Sequence, residues 1–330
     1  MSLLSVRDLT VKFAMRDRML TALNQISFDV AKGERLGIVG ESGAGKSITG
    51  FSLMNLLSHP GFIDSGQILL EGEDLVHVSE ARMRSIRGHR MAMIFQDPMV
   101  TLNPVLTIGQ QMVETLRAHR KLSQAEAEQI AVVKLREVYI PSPEERLNQY
   151  PHELSGGMRQ RIIIAIALLL DPQLIIADEP TTALDVTIQA DIMELLLELC
   201  QSNKVGLILI THDLGVVSQM TERILVMYAG KIIEAGRTRE IINDPQHPYT
   251  QGLINALPQQ TKPGTPLKQI PGNMPSLSNI PPGCPFSPRC EYALDHCRTT
   301  PPELVQYGHV RVACHEVSRL HAERSGEQGV

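Results

Sequence analysis

The chain has 330 residues, 43% hydrophobic and 20% charged, with 31 Lys plus Arg against 36 Asp plus Glu and a net charge of −5. That length suffices for about two domains and for a core that needs no disulfide staples. The acidic balance, with a pI near 6.1, counts against a nucleic-acid surface, and the longest apolar run, Ile162 to Leu170, is nine residues, far short of the ~20 that span a bilayer.

The N-terminus has no basic segment followed by an apolar stretch, so a non-exported chain is expected. Its five cysteines then read as metal ligands or inert thiols in a reducing compartment.

In chain order, Leu3 to Val6, Ile26 to Val30 and Arg35 to Val39 read as strands. The third runs straight into Gly40-Glu41-Ser42-Gly43-Ala44-Gly45-Lys46-Ser47, and a helix is predicted from Lys46 to Leu57. This is the P-loop pattern in its required strand–loop–helix context. Glycines let backbone N–H groups wrap phosphate oxygens, Lys46 reaches the β- and γ-phosphates, and Ser47 takes Mg²⁺.

Met91 to Phe95 is a buried-strand pattern ending at Gln96. From about 98 to 153 the pattern turns helical, with a capping box at Ser123-Gln-Ala-Glu126 opening a helix to Tyr139. Leu154-Ser155-Gly156-Gly157-Met158-Arg159-Gln160-Arg161 opens another helix; taken alone it is an ordinary loop-to-helix junction. Leu174 to Ala177 is an apolar strand ending in Asp178-Glu179, which fits a Mg²⁺-holding acid followed by a general base. Alone, that pattern is equally a plain strand end. Cys200 closes the apolar-periodic helix after Asp185 and reads as a buried thiol. Leu207 to Ile210, followed by His212, and Ile224 to Tyr228 complete the strands. Apolar strands alternating with helices predict an α/β sheet covered on both faces.

Beyond Leu257 the composition changes. Eleven of the 21 prolines and four of the five cysteines lie in the last 73 residues, which read as an extended, turn-rich appendix. Cys284, Cys290, Cys297 and Cys314 are spaced Cys-x5-Cys-x6-Cys-x16-Cys. Zinc ribbons usually carry close Cys-x2–4-Cys pairs, so zinc spacing is a poor match. An iron–sulfur cluster tolerates wider loops. Clustering of four cysteines in so short a stretch counts against incidental thiols.

Together the ordered motifs resemble the ATP-binding cassette (ABC) family, whose signature is close to Leu-Ser-Gly-Gly-Gln; here Met158 stands where Gln is usual. The resemblance implies an α/β P-loop NTPase (RecA-like) cassette with an antiparallel β subdomain, a helical subdomain and a C-terminal extension. It implies that Phe13 stacks on adenine, Gln96 is the Q-loop glutamine assisting at Mg²⁺, Thr182-Ala-Leu-Asp185 is the D-loop and His212 is the switch histidine. It also implies that two cassettes close head to tail, Ser155, Gly156 and Gly157 of one meeting the nucleotide on the P-loop of the other. His247-Pro248-Tyr249-Thr250, Leu253, Pro258 and Pro282-Gly-Cys284-Pro-Phe-Ser-Pro-Arg-Cys290 resemble the extension of oligopeptide and dipeptide importers.

That branch implies a cassette at 1–257, an extension at 258–330, and a 4Fe–4S cluster on the four cysteines, with zinc as the alternative. The expected function is MgATP hydrolysis that energises import of di- or oligopeptides, or of a related solute, from the cytoplasmic face of the inner membrane. The expected partners are two integral permeases, a second cassette chain and a periplasmic solute-binding protein, with no nucleic acid. A soluble ABC protein acting on ribosomes or DNA, and a redox sensor built on the cluster, are the rival readings. The single P-loop, the absence of long coiled coils and the complete catalytic set count against them.

Overall fold

The computed structural model describes residues 2–182, 184–257 and 269–327. Two long strands open the chain, β1 (Ser2–Ala14) and β2 (Met19–Ala31), followed by β3 (Arg35–Val39) and α1 (Lys46–Leu53). Next come β4 (Gly61–Leu70), β5 (Glu73–Asp74), α2 (Glu80–Ile86) and β6 (Met91–Ile94). Between residues 98 and 153 only helical segments occur: α3 (Pro98–Thr101), α4 (Ile108–His119), α5 (Gln124–Glu137), α6 (Pro143–Arg146) and a 3-10 turn at Pro151–Glu153. They are followed by α7 (Gly156–Ala167), β7 (Leu174–Asp178), α8 (Val186–Ser202), β8 (Gly206–Thr211) and α9 (Leu214–Met220). Then come β9 (Arg223–Tyr228), β10 (Lys231–Arg237), α10 (Thr238–Asn243) and α11 (Pro248–Asn255). The last described stretch holds a turn at Ser287–Arg289, α12 (Asp295–Thr299), the hairpin β11 (Val305–Tyr307) and β12 (Val310–Val312), and α13 (Val317–Glu327).

The chain divides into two compact units. One consists of Met1–Leu3, Val30–Glu34 and His77–Leu209, the other of Leu4–Asp29, Arg35–Val76 and Ile210–Val330. In the first unit β6 and β7 pair in parallel, with β8 on the other side of β7. Strands β7 and β8 are buried along their whole length, as parallel strands covered on both faces must be. In the second unit β1 pairs antiparallel with β4 from Leu4↔Leu70 to Phe13↔Gly61. There too β3 runs parallel to β9, β9 antiparallel to β10, and β10 antiparallel to β12.

Two expectations need correction, and one strand went unpredicted. The helix after the P-loop stops at Leu53 rather than Leu57, because Asn55 turns left-handed at φ 49° and ends the intrahelical ladder. Strand β4 was not legible, since Gly-Phe-Ile-Asp-Ser-Gly-Gln interrupts any two-residue alternation. The described tail is more than a turn-rich appendix: β12 pairs with β10 at Glu234↔Val312, and Phe286, Val312 and Leu320 are buried. The predicted junction at 257/258, with Pro258, borders residues 258–268, which lie outside the described ones.

The capping box at α5 forms as predicted. Ser123 Oγ accepts the Glu126 N–H at 3.3 Å, and Glu126 Oε2 accepts the Ser123 N–H at 2.8 Å. Helix α5 ends two residues before Tyr139, whose φ is 58°. Ser123→Ala is expected to cost about 1 kcal/mol in urea unfolding, with an unchanged denaturant slope.

Candidate functional site

The second unit holds the phosphate loop. Gly40 sits at φ 154°, where a Cβ would stand 2.4 Å from the Met227 carbonyl oxygen; Gly45, at φ 103°, would press one 2.9 Å from Leu23 Cδ2. Only glycine fits either place. Gly45 is also the N-cap of α1 and supplies no side-chain acceptor, so the helix presents its first N–H groups and positive dipole end to an anion. Lys46, 5% exposed, donates from Nζ to the Gly40 carbonyl at 2.9 Å and the Glu41 carbonyl at 3.1 Å. Its ammonium is thereby folded over the loop it belongs to. Ser47 follows in the first turn of α1. Phe13 lies at the end of the β1–β4 pairing opposite Gly61, where a Cβ would come within 2.9 Å of its ring.

His212, exposed, follows β8 at a strand-to-helix corner. Thr211 Oγ1 accepts the Asp213 N–H at 3.0 Å, and Asp213 caps α9 by accepting from Gly215 N at 2.8 Å.

The first unit holds the acids. Strand register brings them to Gln96: Ile94 pairs with Ala177, so Gln96 and Glu179 each lie two residues beyond the same rung. Gln96 Nε2 donates to Glu179 Oε2 at 3.1 Å, and Thr182 Oγ1 donates to the same oxygen at 2.9 Å. Two neutral donors thus fix one carboxylate. Glu179 itself is left-handed at φ 45°, a strained state for a residue with a Cβ. Asp178, 3% exposed, closes β7 just before it. Thr182 was read only as the start of the D-loop; its contact with Glu179 is a three-residue turn that no motif advertises.

The signature segment opens α7, with Ser155 Oγ capping it by accepting Met158 N at 3.3 Å. Gly157 leaves room for Ile188, whose Cγ2 would meet a Cβ at 2.9 Å, and Gly156 lies over Leu184. Asp185 caps α8 through Ile188 N at 3.0 Å, so signature and D-loop segments pack on one another. Ala183 lies outside the described residues.

In the tail, Cys284, Cys290, Cys297 and Cys314 are all free thiols and line one cavity with His247 and Phe286. Burial pushes the Cys290 thiol up to about 11 and the Cys314 thiol to about 12, with mutual repulsion among the four sulfurs adding to it. Among the described residues no three of these sulfurs lie within 4.8 Å of one another; the triad that does is His296, Cys297 and Glu316. There Glu316 is held by His296 at 3.0 Å and Arg319 at 2.6 Å.

Two residues inside the quoted 247–250 and 282–290 stretches, to which the resemblance gave no role, reach the phosphate loop: Tyr249, whose hydroxyl accepts the Glu41 N–H at 2.8 Å, and Arg289, which grips the Glu41 carboxylate. Tyr249 is seated by a buried acid. Glu234, fully buried, accepts from Gln246 N at 2.7 Å and His247 N at 3.0 Å, and His247 Nδ1 accepts from Tyr249 N at 3.0 Å. Burial depresses His247 to about 3, keeping it neutral.

Residues 23–182 match the ABC transporter family, and residues 233–297 match the oligopeptide/dipeptide transporter C-terminal region. The chain belongs to the ATP-binding cassette family and is an ABC ATPase. It is 47% identical over 319 residues to the oligopeptide transport ATP-binding protein OppD of Salmonella typhimurium, covering 96% of this chain and 95% of that one. To the dipeptide transport ATP-binding protein DppD of Bacillus subtilis it is 48% identical over 328 residues, 98% of each. Among solved structures, the dimeric post-hydrolysis ATP-binding cassette MJ0796 bound to ADP and Pi is similar at a TM-score of 0.64 and 26% identity, over 72% of this chain and 99% of that one. Among the described residues no helix is long and apolar enough to cross a membrane.

Burial, partly offset by its hydrogen bonds, raises Glu234 from 4.5 to about 6. The folded state therefore holds this proton more tightly than the unfolded chain. Its contribution to stability falls as pH rises through 4.5 to 6, and the penalty is complete above that. Glu234→Gln is expected to flatten this slope by about 2 kcal/mol between pH 4 and 7, read by denaturant unfolding at each pH.

Proposed function

We propose that this chain is the ATP-hydrolysing subunit that energises import of di- or oligopeptides through partner permeases. The observation that carries the ATP site is the Gly40–Ser47 loop, closed by glycine geometry in front of a helix with no side-chain cap. The full-length similarity to peptide transport ATP-binding proteins supports the transport role.

In this reading Lys46 and the loop N–H groups hold the β- and γ-phosphates, and Ser47 and Asp178 hold Mg²⁺ with Gln96 alongside. Phe13 stacks on adenine and His212 contacts the γ-phosphate. Glu179 takes the proton of a water whose oxygen bonds to the γ-phosphorus while the bond from phosphorus to the bridging β–γ oxygen breaks, releasing ADP and phosphate. Gln96 and Thr182 orient that carboxylate through the contacts they make with it. Ser155, Gly156 and Gly157, with Asp185 nearby, complete the site of a second cassette, so turnover belongs to the cassette pair. The pair works at the cytoplasmic face of the inner membrane under two permeases, fed by a periplasmic binding protein.

We read the four tail thiols, which line one cavity, as ligands of an iron–sulfur group with zinc as the alternative, because their sequence spacing lacks the close Cys-x2–4-Cys pairs of zinc ribbons. Cys284, Cys290, Cys297 and Cys314 would hold a 4Fe–4S cluster, which supplies a cross-link among loops that share little core.

The chain, tagged and purified from membranes in mild detergent, is expected to carry two permeases and a second cassette. In that complex Glu179→Gln should lower ATP turnover by about 100-fold or more while retaining ATP binding. A loss of only a few-fold would overturn the base assignment, and recovery without permeases would overturn the transport role. Anaerobic preparations should contain about four irons and four acid-labile sulfides per chain, lost in Cys297→Ser; stoichiometric zinc would decide for the alternative.

A further inference from the structure

Arg289 lies between the first two cysteines of the tail, yet its side chain is 6% exposed and spent on the phosphate loop. Its Nη1 donates to Glu41 Oε2 at 2.6 Å and its Nη2 to Glu41 Oε1 at 3.1 Å, a two-pronged grip on the carboxylate. Its Nε donates to the Pro271 carbonyl at 2.8 Å. The guanidinium carbon stands 5.9 Å from the ring centre of Tyr228 and 6.0 Å from that of Phe286. Tyr228, Tyr249 and Phe286 meet edge to face, with ring centres 4.7 to 5.5 Å apart. Tyr249 takes the Glu41 backbone N–H, and Met274 is the neighbour nearest a Cβ on Gly43, at 3.9 Å. The tail therefore bonds the phosphate loop at Glu41, and Met274 lies near Gly43.

Glu41 is the second residue of a loop that receives a triphosphate. A bare carboxylate there repels the ligand, and a loop made of glycines has few side chains of its own to set its course. A buried, rigid guanidinium fork answers both problems, because it cancels the charge and fixes where residue 41 stands.

We propose that Arg289 is a positioning residue for nucleotide binding: it neutralises Glu41 and docks the phosphate loop onto the tail, so the four-cysteine segment is part of the ATP site's support. The inference rests on the phosphate-loop reading given above. It acts on binding, before chemistry, so its signature is a change in affinity and KM with little change in kcat.

The experiment measures binding of Mg²⁺ with the non-hydrolysable analogue AMP-PNP to the full chain by titration calorimetry, and KM and kcat in the assembled complex. Arg289→Ala should weaken binding about ten- to a hundredfold, Arg289→Lys should recover part of that, and Arg289→Ala with Glu41→Gln should bind better than Arg289→Ala alone. Arg289→Ala binding within twofold of wild type overturns the proposal, as does a kcat loss with unchanged KM. If Arg289→Ala is insoluble, Arg289→Lys and Glu41→Gln decide: non-additive losses in the double variant support coupling, and additive ones refute it. Lys46→Ala separates the two readings. Normal AMP-PNP binding by that variant sinks the phosphate-loop reading, whereas its loss beside an intact Arg289→Ala sinks only this inference.

Discussion

A loop that points its backbone N–H groups at a polyanion cannot hold itself in place, because the glycines that permit the shape supply nothing to anchor it. In this protein the anchors come from elsewhere in the same compact unit. The Met227 carbonyl lies where a Cβ on Gly40 would be, and the Gly230 N–H donates to the Ala44 carbonyl at 2.9 Å. Tyr249 takes the Glu41 N–H, and Lys46 bonds the Gly40 and Glu41 carbonyls. The turn after β9, helix α11 and the tail are thus all committed to one short loop. Their burial provides the rigidity that a glycine-rich segment lacks.

The acidic half follows a different rule. Parallel strands β6 and β7 end together, and their register delivers Gln96 and Glu179 to the same level. Glu179 carries a left-handed backbone that costs about 1–2 kcal/mol. Hydrogen bonds from Gln96 and Thr182 and the fully buried strand behind it offset that strain. Such strain turns a strand end into a sharp corner that carries a carboxylate, a geometry suited to presenting it to a water.

The tail combines two needs. Few of its residues form core, so its loops rely on Phe286 among the tyrosines and on the pairing of β12 with β10, and its four thiols line one cavity. The match to the oligopeptide/dipeptide transporter C-terminal region covers Cys284, Cys290 and Cys297 but stops before Cys314. In the structure Cys314 nonetheless lines the same cavity, two residues past the end of β12. Pairing of that strand with β10 carries the fourth thiol back to the others.

What the sequence by itself determined is what depends on near neighbours. The P-loop spacing, the Ser123–Glu126 capping box and the apolar strands at 35–39, 91–94, 174–178 and 206–211 are set by residues a few positions apart, so their patterns are written locally. Asp178 and Glu179 at a strand end, and the four cysteines close together in the tail, were legible for the same reason. The tertiary structure alone decided the long-range contacts. Glu41 and Arg289 are 248 positions apart, Gln96 and Glu179 are 83, and nothing in either neighbourhood encodes the other. Strand β4, with its glycines and polar residues, becomes a strand only because β1 offers it a ladder. Pairing, register and burial of charge are properties of two segments at once, and they come into being only when the chain has folded.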